Sequence, residues 1–151
     1  MNIFLRISLV LCILSATSAD IFAQKMSKKM IKANQLFEAE QYSKAAELYK
    51  KVYQKTKNRA LKSEIIFKQA ECYRLSGNIN RAESYYKRAI KAKYPDVNVY
   101  LLYADMLRMN KEYEEAKIQY QQFIALNPSD TRGEKGLRSC EYATNWLDNP
   151  T

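Results

Sequence analysis

Histidine is absent from this sequence, and cysteine, glycine and proline occur only three times each. Without histidine, the chain can form neither a histidine-bound zinc site nor a nucleophile of the Cys–His type. It also contains no glycine-rich phosphate loop, and no serine or cysteine belongs to a recognisable nucleophile–base motif. We therefore expect no catalytic residues, no bound metal and no cofactor.

The sequence also lacks an apolar run of the ~20 residues that a membrane-spanning helix needs. The apolar run nearest the amino terminus, residues 7–14, follows Arg6 and is succeeded by small residues. This order is typical of an export signal, and cleavage after Ala19 or after Ala23 fits it. We prefer Ala23, and expect a signal peptide over residues 1–23, a mature chain without a membrane span, and a periplasmic or envelope location.

The three cysteines favour neither a lipid anchor nor a disulfide. Cys12 follows Leu11 instead of the small residue that a bacterial lipobox requires, so we do not expect a lipoprotein. Cys72 and Cys140 fall in predicted helices about two repeats apart, where a disulfide would need a geometry that stacked repeats do not offer. We expect both to be small buried thiols.

One pattern occurs three times in the sequence: an alanine, a second alanine twelve residues later, and a tyrosine four residues after that. The copies follow one another at nearly equal intervals, and each keeps the spacing that places small residues on one helix face. The three copies are Ala33/Ala45/Tyr49, Ala70/Ala82/Tyr86 and Ala104/Ala116/Tyr120.

A period of about 34 residues with small side chains at fixed helical positions resembles the tetratricopeptide repeat. The resemblance implies an all-α, right-handed superhelical solenoid of helix pairs, a fold that commonly binds other proteins. We expect a repeat domain over residues 24–147 and a short tail over 148–151. Within the domain we expect repeats at about 26–59, 63–96 and 97–130, and a capping helix at about 130–147.

In tetratricopeptide proteins the first helix of each repeat lines a concave face, and positions two, five, nine and twelve point into it. The resemblance therefore predicts a peptide groove in which apolar anchors alternate with charges. A competing interpretation is that the acidic and basic members neutralise one another across adjacent helices. The predicted partner-binding residues are Asn34, Phe37, Phe67, Glu71, Arg74, Leu101, Asp105 and Arg108.

Chaperone-binding members of the family hold a terminal carboxylate with a two-carboxylate clamp, and this sequence does not match that clamp. The clamp requires lysine where Met30 stands, asparagine where Lys68 stands, and lysine and arginine where Asn98 and Leu102 stand. Asn34 is the one match. We therefore expect a partner other than a clamp-bound terminal peptide.

Positive charge is concentrated near the start of the chain. Residues 25–62 hold eleven lysines and arginines against three glutamates, whereas residues 97–130 hold three against five acids. Such a patch can bind phosphate backbones, but we expect no nucleic acid because an exported protein seldom meets it. An anionic envelope polymer, a membrane surface or an acidic partner domain is the alternative target. The basic patch comprises Lys50, Lys51, Lys55, Lys57, Arg59 and Lys62.

The carboxyl-terminal stretch over residues 136–146, with Asn149, Pro150 and Thr151 after it, is similar to a junction in OmpA-like envelope proteins of the PorE-like group. That group is associated with type IX secretion, and its repeats precede a β-propeller and a peptidoglycan-binding domain. This sequence stops where the propeller would begin, as in a truncated or stand-alone relative. Peptidoglycan binding is not transferred, and the resemblance implies an exported scaffold whose partner is another envelope protein or a peptide segment.

Overall fold

The computed structural model describes residues 28–148, so the predicted signal peptide, its cleavage sites and the last three residues lie outside the described part. Within that part the chain forms seven helices and no strand. The helices are α1 (Lys28–Glu38), α2 (Tyr42–Lys55), α3 (Arg59–Leu75), α4 (Ile79–Lys91), α5 (Asn98–Met109), α6 (Tyr113–Leu126) and α7 (Arg132–Asp148).

The helices stack in the order in which they occur in the sequence. Antiparallel pairs form from α1 and α2, α3 and α4, and α5 and α6, and the second helix of each pair also packs against the helix that follows it. Helix α7 covers α6, contacts α5 and ends one residue beyond the predicted capping helix. The predicted all-α helical repeat fold is confirmed.

The repeated alanines and tyrosines form the contacts between these helices. All nine residues of the three copies are completely buried, at 0% exposure. An alanine lets two helix backbones approach closely, and the tyrosine four residues later fills the adjoining space with its ring. The pattern that predicted the repeats therefore also predicted the centre of each helix pair.

Each turn between the two helices of a repeat contains one residue in the left-handed conformation. These residues are Glu40, Gly77 and Lys111, with φ angles of 57°, 75° and 65°. They recur at the same intervals as the alanine–tyrosine pattern, so each occupies the same position of its repeat. Gly77 is predictable because glycine adopts positive φ without a steric penalty, whereas glutamate and lysine give no such signal.

Polar side chains cap the starts of several helices. The side-chain oxygen of Asn58 accepts a hydrogen bond from the Leu61 amide at 3.0 Å, at the start of α3. At the start of α7, the Asp130 side chain accepts a hydrogen bond from the Arg132 amide at 3.0 Å. The extra residues 60–62 between the first two repeats lengthen α3 by almost one turn.

Two glycines allow α7 to lie close against α6. A Cβ atom on Gly136 would stand 2.3 Å from the ring of Tyr120, and one on Gly133 would stand 2.8 Å from the side chains of Phe123 and Ile124. Cys140 lies completely buried on the same helix. The ring of Tyr120 therefore fills the gap to the following helix.

Both described cysteines are free and buried, as expected. Burial raises the pKa of the Cys72 thiol to about 12, and the nearby carboxylate of Glu71 contributes in the same direction. Burial also raises the pKa of Cys140. Because a thiolate is the reactive form, both side chains act as small apolar groups at neutral pH.

Candidate functional site

A buried tyrosine, an acid and an arginine form one hydrogen-bonded network in the second repeat. The hydroxyl of Tyr86, on α4, donates to Oε1 of Glu71, on α3. Nε of Arg74 donates to the same hydroxyl at 3.1 Å, and its Nη2 contacts the second oxygen of Glu71 at 2.7 Å. The network fixes the arginine one helical turn beyond the acid, on the same face of α3.

The third repeat contains the same network at the equivalent positions. The hydroxyl of Tyr120 donates to Oδ1 of Asp105 at 2.6 Å, and Nε of Arg108 donates to that hydroxyl at 3.2 Å. Arg108 and Asp105 approach less closely than the pair in the second repeat, at 3.9 Å. Both charged side chains of the third repeat are about one third exposed.

The first repeat keeps the hydrogen bond of the buried tyrosine hydroxyl, but its acceptor is neutral and no arginine joins it. The hydroxyl of Tyr49 donates to Oδ1 of Asn34 at 2.7 Å. Phe37 occupies the position of the arginine, and its ring packs on that of Tyr42 in a T-shaped arrangement with centroids 5.5 Å apart. The ammonium of Lys68 lies 5.1 Å from the centroid of the same ring.

The pKa values of the two tyrosines and of the arginine in these networks are all raised. Burial raises the pKa of Tyr86, and the carboxylate of Glu71 raises it further. Burial likewise raises the pKa of Tyr120, with the hydrogen bond to Asp105 as the second cause. The pKa of Arg74 is raised chiefly by its hydrogen bond to Glu71. At neutral pH the tyrosines are therefore neutral donors and the arginines are charged.

This geometry corrects one part of the sequence interpretation. The competing interpretation had the acids and arginines neutralising one another across adjacent helices. Each pair instead lies within a single helix, at a separation of three residues, and is joined to the tyrosine of its own repeat. An i, i+3 pair on one helix is the nearest available partner, so no pairing between repeats is needed.

A cavity of about 380 Å³ opens between α5 and α7 and contains three of the predicted site residues, Leu101, Asp105 and Arg108. Leu101 forms an apolar part of the wall and is itself only 4% exposed. The remaining lining residues are Leu102 from α5, and Arg132, Lys135, Gly136 and Ser139 from α7.

The residues that α7 contributes were not among the predicted site residues. Arg132, Lys135 and Ser139 each lie one full repeat period after a groove position of α5, namely Asn98, Leu101 and Asp105. Helix α7 therefore stands where the first helix of a fourth repeat would stand. Extending the repeat period beyond Pro128 would have found these residues, but the sequence analysis treated residues 130–147 only as a capping helix.

Charge in this cavity is only partly compensated within the protein. Arg132 pairs with Asp130 at 2.6 Å and also donates to Asn98 at 2.9 Å. Lys135 lines the same cavity and is exposed, and it forms no ion pair in the part of the chain that the structure describes. The cavity therefore offers one unpaired cation beside an apolar wall.

The other predicted groove residues are separated from this cavity and are partly used in internal packing. The ring of Phe67 stacks on Tyr94 with centroids 4.2 Å apart, and its edge meets Tyr86 at 5.9 Å. Met30, at an inward position of the first repeat, is 1% exposed. The third-repeat members of the predicted set lie together in the cavity between α5 and α7.

The basic patch lies on two helices and the turn between them. Lys50, Lys51 and Lys55 are exposed on α2, Lys57 is exposed in the turn, and Arg59 is exposed at the start of α3. Lys62 is half-buried, with its ammonium 5.0 Å from the centroid of the Tyr53 ring. No ion pair involves any of the six between residues 28 and 148.

Within residues 28–148, no helix combines the length and the apolar character that crossing a bilayer requires. No group of three or more cysteine, aspartate or glutamate side chains in that stretch is arranged to hold a metal ion.

Helix pairs that stack in sequence order define the class of α-helical repeat proteins. Within this class, the family model described as Tetratricopeptide repeat matches residues 64–96 and 98–130. Those two segments are tetratricopeptide repeats, and the pair formed by α1 and α2 repeats their alanine–tyrosine core.

Solved structures with similar folds are also tetratricopeptide domains. The first such domain of human RPAP3 is 20% identical, with a TM-score of 0.66 over 82% of this chain and 94% of that chain. The domain of Sgt2 from Aspergillus fumigatus is 18% identical, with a TM-score of 0.65 over 82% and 83%. The first domain of Spaghetti (RPAP3), bound to an HSP90 peptide, is 21% identical, with a TM-score of 0.64 over 78% and 90%.

At these identities the likeness shows the fold alone. No curated protein matches this chain. The fold and the repeats are therefore shown, while the partner has to be inferred from the surface of this chain.

Proposed function

We propose that this protein is a non-catalytic scaffold that holds a segment of another protein in the groove between α5 and α7. The observation that carries the proposal is the cavity in which Leu101, Asp105 and Arg108 meet Arg132, Lys135 and Ser139. An extended or helical segment can place an apolar side chain against Leu101 and a carboxylate beside Lys135. Tetratricopeptide repeats mediate protein–protein interaction as a class, which supports a partner of this kind.

The fixed arginines also favour binding. Arg108 is held by the Tyr120 hydroxyl and by Asp105, so its guanidinium loses little further freedom when a ligand arrives. Groups that are already ordered reduce the entropic cost of association. The groove of the third repeat therefore combines pre-ordered charge with open volume, whereas Phe67 of the second repeat is covered by Tyr94.

The test starts with selection of peptides from a random display library against the mature chain. The best peptide is then measured on two variants that change the exposed groove residues, Ser139→Trp and Lys135→Glu. We expect each to weaken binding about tenfold or more, since one fills the cavity and the other reverses its unpaired charge. Gln122→Trp and Lys91→Glu, exposed residues on α6 and α4, are the matched controls. Equal losses in variants and controls would contradict the proposal.

We further propose that the protein acts in the bacterial envelope, in association with type IX secretion. The signal-like order of residues 1–23 and the resemblance of residues 136–146 to PorE-like proteins support this location. Residues 1–40 fused to an alkaline phosphatase that is active only outside the cytosol should give activity. A fusion with Leu9→Arg and Leu11→Arg should give none. Activity from neither fusion would contradict export.

An anionic envelope polymer or membrane surface bound through the basic patch is the second candidate. The unpaired, exposed Lys50, Lys51 and Lys55 on α2 favour it. Salt separates the two candidates, because contacts with a polyanion lose affinity steeply as counterions compete. A shallow salt dependence of partner binding supports the groove, and a steep one that Lys50→Glu, Lys51→Glu and Lys55→Glu remove supports the patch.

A further inference from the structure

The helices on the outer side of the first two repeats carry strong positive charge. In α2 four lysines stand against one glutamate, and in α4 four lysines and arginines stand against one glutamate, so each helix has a net charge of +3. The corresponding helix of the third repeat, α6, has two glutamates and one lysine. None of the eight cations on α2 and α4 forms an ion pair in the described chain.

A second cavity, of about 440 Å³, lies between these two basic helices. Lys50 of α2 and Arg81 of α4 line it, and Tyr73 of α3 and Tyr85 of α4 contribute aromatic rings. It shares no residue with the groove between α5 and α7. Its other lining residues are Ala46, Glu47, Asn80 and Ser84.

The aromatic side of this cavity is held in place before any ligand binds. The rings of Tyr73 and Tyr85 lie 5.0 Å apart. The guanidinium of Arg81 lies over Tyr73 at 5.4 Å, and that of Arg88 lies over Tyr85 at 4.5 Å. Alternating cations and rings stabilise one another, so the side chains need little rearrangement to meet a partner.

We propose that this cavity is a second interaction site, which binds an acidic segment of a protein partner. A carboxylate of the segment meets Lys50 and Arg81, and an adjacent apolar or aromatic side chain lies against the tyrosine rings. Glu47 opposes a uniformly anionic polymer, whereas a peptide can offer it a backbone amide. Ser84 and Asn80 add polar groups that suit the same backbone.

This site would make the protein a two-sided scaffold, because its residues come from α2, α3 and α4 while the groove uses α5 and α7. The proposal does not depend on the groove being a binding site. A partner on the outer cavity leaves α5 and α7 free, so two chains could be held at once.

The test measures the fluorescence anisotropy of a labelled peptide in which glutamates flank a central phenylalanine. Comparison probes are the same peptide with glutamine for glutamate and a polyglucuronate oligosaccharide of equal charge. We expect the acidic peptide to bind, the glutamine peptide to bind at least about tenfold more weakly, and the oligosaccharide to bind more weakly than the acidic peptide.

Three variants locate the site. The double charge reversal Lys50→Glu with Arg81→Glu should weaken the acidic peptide about tenfold or more. The matched double Lys51→Glu with Lys91→Glu changes the net charge equally on the same helices but outside the cavity, and should weaken it by no more than about threefold. Ser84→Trp, at an exposed position, should fill the cavity without changing charge and abolish the preference for the acidic peptide.

Circular dichroism melting confirms that each variant folds. Equal weakening by the two double reversals would overturn the proposal in favour of general electrostatic attraction. Tighter binding of the oligosaccharide, unaffected by Ser84→Trp, would overturn it in favour of a polymer surface. Absence of binding by the acidic peptide would also overturn it.

Discussion

The first repeat and the two later repeats use different side chains to accept the hydrogen bond of a buried tyrosine. All three bury a tyrosine whose hydroxyl donates to a side chain fifteen residues earlier. In the first repeat the acceptor is the neutral Asn34, with Phe37 beside it. In the later repeats the acceptor is Glu71 or Asp105, and an arginine joins the network.

This difference shows which side chains the fold requires and which ones only add charge to the surface. A buried hydroxyl needs an acceptor, and an amide oxygen serves as well as a carboxylate. The acid and the arginine are therefore not required by the repeat itself. Their presence in the second and third repeats fixes charge at these positions of α3 and α5, whereas the equivalent positions of the first repeat hold the neutral Asn34 and Phe37.

Removing the acceptor should have the largest effect, and the two kinds of repeat should differ. Glu71→Ala leaves both the Tyr86 hydroxyl and Arg74 without their acceptor, so we expect a loss of about 3 kcal/mol of unfolding free energy. Asn34→Ala removes one neutral acceptor and should cost about 1 kcal/mol. Urea unfolding measures both. Equal losses would show that charge adds nothing to the network.

High pH should destabilise the protein through the buried tyrosines. Their pKa values are raised in the folded state, so the unfolded chain loses these protons first. The stabilisation is complete below pH 10, the usual pKa, and is lost as pH rises towards the folded values, at about 1.4 kcal/mol per pH unit for each proton released. Chemical unfolding between pH 8 and 11 measures the slope, and Tyr86→Phe should reduce it. A rise in the free energy of unfolding over this pH range would contradict the raised pKa values of the buried tyrosines.

Converting the third repeat to the chemistry of the first should change the surface more than the fold. In Asp105→Asn with Arg108→Phe, the amide still accepts from Tyr120, so we expect unfolding free energy to change by no more than about 1 kcal/mol. The library-selected peptide should lose affinity, because the pre-ordered guanidinium of Arg108 has gone from the cavity. Thermal melting measures the change in stability, and fluorescence anisotropy measures the affinity for the peptide. Loss of the fold would show that the charges of Asp105 and Arg108 are required for the structure.

The turns offer a smaller comparison among the repeats. Lys111→Gly relieves a side chain at positive φ and should stabilise the protein by about 0.5–1 kcal/mol. Gly77→Ala introduces that strain and should destabilise it by about 1 kcal/mol, although the space around Gly77 is open. Differential scanning calorimetry detects both shifts. Shifts of the opposite sign would indicate that other turn contacts dominate.

The sequence predicted the fold well because its strongest signal is also the packing signal. The spacing of Ala70, Ala82 and Tyr86, copied before and after, identifies both helices of a repeat and the residues between them. Gly77 was recognisable as a left-handed residue, but Glu40 and Lys111 were not, because only the backbone path imposes their conformation.

The candidate site was predicted less completely. Register put Leu101, Asp105 and Arg108 in one predicted set, and these three line one cavity, but it could not show that Phe67 would be covered by Tyr94. Nor could it show that α7 would lie close enough to α5 to form a cavity, which depends on Gly133 and Gly136 admitting side chains of α6. Such distances depend on how neighbouring helices pack, and the spacing of residues along one helix does not determine them.

A crystal structure of residues 24–151 with the library-selected peptide tests the central claim most directly. The account predicts a peptide lying between α5 and α7, with an apolar side chain on Leu101 and an acidic one beside Lys135. A peptide bound elsewhere, with that groove empty, would contradict it.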